Sequence, residues 1–562
     1  MSRTNANAAT DYLVAAVQFA PTILDKAGNL ARLAALVGEA ARGGAKLCVL
    51  PEMATTGYVF SGREEIAGLV EPVPGPTTRF FGELARRHGM HIVYGFPEVD
   101  PATDFYYNAA VLIGPNGDVL GRYRKMQSFI NETVWARDGD LGPVVIDTEL
   151  GRIGLIICMD AAYFETARLE ALAGADVLAF PTNWLGPAPS LEWRARCLEN
   201  GVYLISADRW GTERGVKFAG GSCVIGPEGE VLGAQVTGDG VVFGRVSLAR
   251  ARDKRLDGVG DRLAIRRPEA YHRLVINSYL WYYKHTMGGL PTGEAEVAVV
   301  QFGRPADVPA AMAAALDAVG FDGAGPPGAA GQGGSPGPHR LAVFPDLTGL
   351  VPAEPIPGPF SEAVGRLAAA RGTHIVYGAE ETQSERVYRS AVLVGPGGLV
   401  GRYRGLHVAP GEAWALGDLG LPVFDLPFGR VGLLLGRDLY VPEAARCLAK
   451  GGADLICVAA DLARPEDDYL WEERATSNST YVAVANRVGP GPGSAIYGHL
   501  VRKQPGAEVH LASGRDDAAA LRLDIADDSM VRQKEHLRRL QPYWYGPLVA
   551  GKTGGGGHGH QS

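Results

Sequence analysis

The chain has 562 residues, of which 46% are hydrophobic and 21% charged, so a large core is available and global disorder is excluded. A formal net charge of −8 argues against a dedicated nucleic-acid binder, and no apolar run reaches the roughly 18 residues that a membrane span needs. The six cysteines (Cys48, Cys158, Cys197, Cys223, Cys447 and Cys457) form no CxxC pair, so neither a zinc site nor a disulfide framework is signalled, and with no secretory pattern at Met1-Ser-Arg-Thr4 the reading is a cytoplasmic protein.

In chain order, Tyr12–Phe19 reads as a strand and Ala27–Arg42 as a helix, with Leu30, Leu33, Leu36 and Val37 on one face. Ala45–Leu50 is a continuous apolar run, as in a strand covered on both sides. His91–Gly95, Ala109–Ile113, Ile153–Ile157, Val177–Phe180 and Val202–Ser206 follow as strands, and the Asn116-Gly117 turn predicts an antiparallel hairpin. A helical pattern runs from about Tyr163 to Ala173. Strands alternating with helices at this pitch predict a layered α/β domain, and two sheets with helices outside fit better than one wound sheet.

The chain then repeats itself. His91-Ile-Val-Tyr-Gly95 returns as His374-Ile-Val-Tyr-Gly378, and Val17-Gln-Phe19 as Val300-Gln-Phe302, both at an offset of 283. Gly121-Arg-Tyr-Arg124 returns as Gly401-Arg-Tyr-Arg404, and Gly151-Arg-Ile-Gly-Leu155 as Gly429-Arg-Val-Gly-Leu433. Ordered matches at a nearly constant offset predict a tandem duplication. The expected division is a first domain over 1–285, a linker over 286–295 and a second domain over 296–548, with a flexible Gly/Pro loop at 322–339 and a disordered Gly/His tail at 549–562. Gly546-Pro-Leu-Val-Ala-Gly-Lys-Thr553 matches a phosphate-loop string, but Pro547 inside it and the glycine-rich tail after it make it a chance match.

Three residues stand out where strands end. Cys158 sits at a strand-to-helix turn, where main-chain N–H groups can stabilise a thiolate and an oxyanion. A lone cysteine there, without suitable partners, reads first as a small buried apolar residue. Glu52 follows the apolar run ending at Leu50, and Lys125 closes the cationic segment Gly121-Arg-Tyr-Arg-Lys125; their bland readings are a loop carboxylate and a solvated charge run.

The first copy resembles the nitrilase superfamily, the carbon–nitrogen hydrolases. The matching segments are Leu50-Pro51-Glu52 with Gly57-Tyr58, Tyr123-Arg124-Lys125, Ile157-Cys158-Met159-Asp160 with Phe164-Glu165, Ala173-Gly-Ala-Asp176, Pro181-Thr-Asn-Trp184 and Arg266-Arg-Pro-Glu-Ala-Tyr271. The resemblance implies a four-layer αββα sandwich in two tandem copies, and a catalytic set of Glu52, Lys125 and Cys158, with Glu132 as a second active-site glutamate. It also implies no metal and no cofactor. Cys158 would attack an amide or nitrile carbon, Glu52 would shuttle protons, and Lys125 would face the oxyanion, helped by the Met159 N–H. Tyr58, Trp135, Met159, Tyr163, Asn183 and Trp184 are the expected substrate-binding residues, and Arg137 or Arg168 are candidates for a substrate carboxylate. Met159-Asp160 after the nucleophile, where nitrile-cleaving members carry Trp-Glu, favours a small-molecule amide or carbamoyl substrate. A nitrile, or acyl transfer to an amine, is the alternative.

The second copy departs at all three positions. Asp346 stands for Glu52, Gly405 for Lys125 and Gly436 for Cys158, so it is expected to have lost its catalyst. The expected partners are the small-molecule substrate alone, with no nucleic acid and no membrane. The two copies are expected to form an intrachain pseudo-dimer, open to further homo-oligomerisation.

Overall fold

A computed structural model of the chain describes residues 11–277, 291–323, 338–498, 508–525 and 534–551. The chain divides into two compact units between Arg255 and Leu256, thirty residues before the sequence-based domain end at 285. Half of the expected linker and most of the Gly/Pro loop lie outside the described residues, as does the tail from 552. Their edges are shorter than expected, because Glu294–Gln301 and His339–Asp346 are already strands and Gly546–Val549 is a short helix.

In the first unit, strands β1 (Asp11–Gln18), β2 (Leu47–Val49), β3 (His91–Val99), β4 (Tyr106–Ile113), β5 (Val119–Arg124) and β14 (Gly240–Ser247) form one sheet in the order β14-β1-β2-β3-β4-β5. The second sheet has the order β13-β12-β9-β8-β7-β6, built from β6 (Val145–Thr148), β7 (Gly151–Leu155), β8 (Val177–Thr182), β9 (Tyr203–Asp208), β12 (Ser222–Ile225) and β13 (Val231–Gln235). In each sheet three central strands run parallel: Val14 pairs with Leu47 and Leu47 with His91, while Ile153 pairs with Val177 and Val177 with Tyr203. The hairpin predicted from Asn116-Gly117 joins β4 to β5 antiparallel.

The sheets pack face to face, β1 on β9 and β3 on β8. Helix α1 (Lys26–Arg42) and, after the single-turn α2 (Arg63–Ile66), helix α3 (Pro76–His88) cover the outer face of the first sheet, and α4 (Phe164–Leu172) and α5 (Leu191–Asn200) that of the second, which gives four layers, αββα. The sequence sets these helices locally. The Asp25 side chain caps α1 by accepting from the Gly28 N–H at 2.9 Å, and Leu33 and Val37 enter the core. Pro76 opens α3, and Gly89, at φ +59, closes it.

The second unit repeats both six-stranded sheets in the same strand order, from Glu294–Gln301 to Asp517–Asp524 and from Val423–Leu426 to Val509–His510. The verbatim repeat has a steric reason. A Cβ on Gly95 would stand 2.6 Å from the Glu52 Cα, and one on Gly378 2.9 Å from the Asp346 Cα, so each third strand can pass its neighbour's end only as glycine. Among the described residues no helix is long and apolar enough to cross a membrane.

Candidate active site

The C-terminal ends of parallel strands are where loops can converge without disturbing the core. Beyond β2, Leu50-Pro51 delivers Glu52, which is fully buried. Beyond β5, Lys125 extends inward, anchored by its own N–H on the Asn108 carbonyl at 2.8 Å. Lys125 Nζ donates to Glu52 Oε1 at 2.8 Å and also to Glu132 Oε1. Asn108 Nδ2 donates to Glu52 Oε1 at 2.6 Å, and the Tyr58 hydroxyl donates to Glu132 Oε1 at 2.7 Å. Three stretches distant in sequence, 52–58, 108 and 125–132, therefore meet in one connected buried network.

Cys158 joins it from the second sheet. β7 ends at Leu155, and Cys158 opens a short 3-10 turn, Cys158–Ala162, with φ at +43. A left-handed conformation is costly for a residue with a side chain, of order 1–3 kcal/mol. Asp160 holds the turn there. Its Oδ2 accepts from the Ile157 N–H at 2.9 Å and from the Tyr123 hydroxyl at 2.7 Å, and its Oδ1 accepts from the Gln127 N–H at 2.9 Å. The turn that carries Cys158 is thus tied to both flanks of Lys125.

The electrostatics follow from burial. Burial pushes the Cys158 thiol up, and the Glu52 carboxylate adds to this; Lys125 and the Asn183 backbone N–H pull it down. For Lys125, burial works against the charge, but Glu132 and Glu52 prevail and hold the ammonium well above its ordinary value. Burial raises Glu132 against the opposing pull of Lys125. Burial likewise pushes Asp160 up to about 7. Glu52 and Glu132 each leave one buried carboxylate oxygen, Oε2, without a hydrogen-bond partner among the described residues.

A model of the carbon–nitrogen hydrolase family matches residues 13–256 and again 297–511, well over half of the chain. The chain belongs to the carbon–nitrogen hydrolases. It carries the nitrilase-superfamily domain twice, in tandem. This carbon–nitrogen hydrolase is 42% identical over 262 residues to a nitrilase of Pyrococcus abyssi, covering 46% of this chain and 99% of that one. It is 30% identical over 261 residues to the human omega-amidase NIT2, covering 44% of this chain and 92% of the other. Among solved structures it is similar to an amidase from Nesterenkonia sp., with a TM-score of 0.38 and 27% identity, covering 43% of this chain and 93% of that one.

The other residues expected at this carbon–nitrogen hydrolase site are placed as follows. Tyr58 and Trp135 are buried in an aromatic cluster, Tyr58 edge-on to Phe218 and Trp135 edge-on to Phe60. Asn183 is buried beside Cys158, and both polar atoms of its side chain are without partners among the described residues. Met159 is half-buried in the Cys158 turn, and Tyr163, fully buried, caps that turn with its N–H on the Asp160 carbonyl at 3.3 Å. Trp184 packs edge-on to Trp193 of α5, with centroids 5.4 Å apart, and so also serves the core. Arg168 is fully buried in α4 and donates to the Glu199 carbonyl at 3.1 Å, whereas Arg137 stacks on the Phe105 ring. Among the described residues no group of three His, Cys, Asp or Glu side chains is arranged to hold a metal ion.

Sequence reasoning did not single out Asn108, Asp160 or Asp208 as site residues. Asp208 is fully buried, and its Oδ1 accepts from the Trp184 and Arg209 N–H groups at 3.0 and 2.8 Å. Burial raises it well above its ordinary value, and the Glu52 charge is among the further causes. Asn108 had a usable signal, since the position paired in the same register in the second copy is Arg389, a change of charge between two otherwise similar hairpins.

Proposed function

We propose that the first copy hydrolyses a small linear amide or carbamoyl compound through a thioester on Cys158, and that the second copy is catalytically inert. The observation that carries the reading is the single buried ammonium of Lys125 bridging Glu52 and Glu132 beside a thiol. At rest the thiol keeps its proton, because burial and Glu52 disfavour a thiolate. The spare Glu52 Oε2 takes that proton as the sulfur attacks the carbonyl carbon. Negative charge then grows on the carbonyl oxygen, where Lys125 stabilises it without reorganising. Glu52 returns the proton to the departing nitrogen, ammonia leaves, and water activated by Glu52 releases the acid and restores the thiol. Glu132 keeps Lys125 in place, and its spare Oε2 can accept from the substrate's N–H.

The amide reading agrees with the name of the omega-amidase that the chain resembles. A nitrile substrate is the second reading, favoured by the 42% identity to a protein named as a nitrilase. Ammonia release and acid formation from matched amides and nitriles, with the purified full-length protein, separate the two. We expect turnover of amides and at least a ~1000-fold loss in C158A with the fold retained. Activity surviving in C158A would refute the proposal.

A further inference from the structure

Between β9 and β12 the first unit carries a small hairpin, β10 (Trp210–Glu213) paired antiparallel with β11 (Val216–Ala219). It takes part in neither large sheet. Its last β10 residue, Glu213, is buried and fully engaged. Glu213 Oε1 accepts from the backbone N–H groups of Tyr58 and Val59 at 2.9 and 2.7 Å. Its Oε2 accepts from Arg209 Nη2 at 2.9 Å. The Arg209 guanidinium lies over the Phe218 ring, 4.2 Å from its centroid, and Phe218 meets the Tyr58 ring edge-on. Two N–H groups of a loop thus converge on one carboxylate oxygen, and the loop they fix carries the hydroxyl that holds Glu132.

The second copy provides a control within the same chain. In the first copy the Asp208 N–H donates to Ser222 Oγ, 14 positions on, at 2.8 Å. In the second, the Asn486 N–H donates to Ser494 Oγ, only 8 positions on, at 2.9 Å. The equivalent connection, 487–494, contains no strand, and the loop after Asp346 carries no tyrosine. Both six-stranded sheets nevertheless close in the same order. The hairpin is therefore dispensable for the fold, and it is present where Lys125, Glu132 and Cys158 are present.

We propose that Glu213 is a positioning residue: by clamping the Tyr58–Val59 backbone it aims the Tyr58 hydroxyl at Glu132 and thereby fixes Lys125. This rests on the assignment of Glu52, Lys125 and Cys158 to the chemistry. The test is a double-mutant cycle of E213A and Y58F in the full chain. Its readouts are kcat and KM for ammonia release from propionamide and, separately, the pH profile of Cys158 alkylation by iodoacetamide, which needs no turnover. We expect each single variant to lower kcat roughly tenfold with little change in KM. We expect both to shift the alkylation profile in the same direction, and the double variant to be no slower than the slower single one within about twofold. E213Q, which keeps an oxygen acceptor for the two N–H groups, should recover most of the rate, and it replaces E213A in the cycle if E213A does not fold. Effects that multiply, or an E213A protein with wild-type alkylation and kcat, overturn the proposal. Activity persisting in C158A overturns the catalytic assignment instead and leaves the alkylation cycle readable.

Discussion

The two copies place the same turn at the end of the same strand and fill it differently. In the first, Asp160 accepts from the Ile157 N–H and the Tyr123 hydroxyl; in the second, Asp438 accepts from the Leu435 N–H at 2.8 Å and is hydrogen-bonded to the Tyr403 hydroxyl. Helix α5 and its counterpart also agree, since Asn200 donates to the Arg196 carbonyl and Asn478 to the Arg474 carbonyl, each at 2.8 Å. Scaffold contacts survive, then, while the charged groups near the reacting position differ. There the first copy has one ammonium shared by two glutamates. The second has separate arginine–carboxylate pairs: Arg389 with Asp346, Arg437 with Glu412 and Arg487 with Asp461. A network with spare carboxylate oxygens can accept and return protons, whereas charges that neutralise one another pairwise have little left to offer a substrate. The backbone agrees with this. Cys158 is held at a left-handed φ of +43, while Gly436 is not in that region although glycine could adopt it freely.

The strongest test of this contrast moves the thiol. A C158A/G436C protein should remain at least ~1000-fold below wild type in amide turnover, because the second copy lacks the ammonium as well as the sulfur. A Cβ at residue 436 would also stand 3.0 Å from the Leu462 Cγ and 3.1 Å from the Ala460 Cβ. Recovered activity would break the comparison. K125G, which installs the second copy's residue in the first, should cost roughly 100- to 1000-fold in kcat/KM. It leaves two buried carboxylates without their cation, so urea denaturation should show a loss of about 3–5 kcal/mol. A smaller sharpening comes from pH. Glu132 must be ionised to hold Lys125, and burial raises it above its ordinary 4.5. Activity should therefore fall as pH drops through a limb lying above 4.5, by about tenfold per pH unit on the steep side; a limb at or below that value would argue against the network. The smallest effect is expected from R389N. It removes the cation beside the buried Asp346 and should lower stability by about 1–3 kcal/mol, discounted because Arg389 is partly exposed. Turnover should stay within about twofold of wild type.

Much of this was legible in the sequence because it is carried by local pattern. The constant offset exposed the duplication, the Asn116-Gly117 turn gave β4 and β5, and the helix read from Tyr163 to Ala173 is α4 at Phe164–Leu172. The turn before α4 was less legible: β7 ends at Leu155, two residues earlier than the apolar run implies, because Ile156 and Ile157 continue as buried connection. What stayed hidden depends on distance along the chain. Glu213 meets Tyr58 across 155 positions through main-chain N–H groups, which any residue supplies and which leave no side-chain signature. Asn108 reaches Glu52 across 56 positions through its side-chain amide, so only the difference from Arg389 in the second copy could have marked it. Trp184, expected among the substrate-binding residues, packs against Trp193, since an aromatic residue beside a site can equally finish the packing of a helix.

The staple made by Asp160 and Asp438 has a practical consequence for surveying genomes. Because this acidic brace is present both with and without a cysteine at the start of the turn, a search keyed to it will gather both kinds of module. The discriminating marks lie elsewhere, in the residue two places before the brace and in the length of chain between the ends of β9 and β12. Reading those two marks would sort other doubled hydrolases before any protein is made.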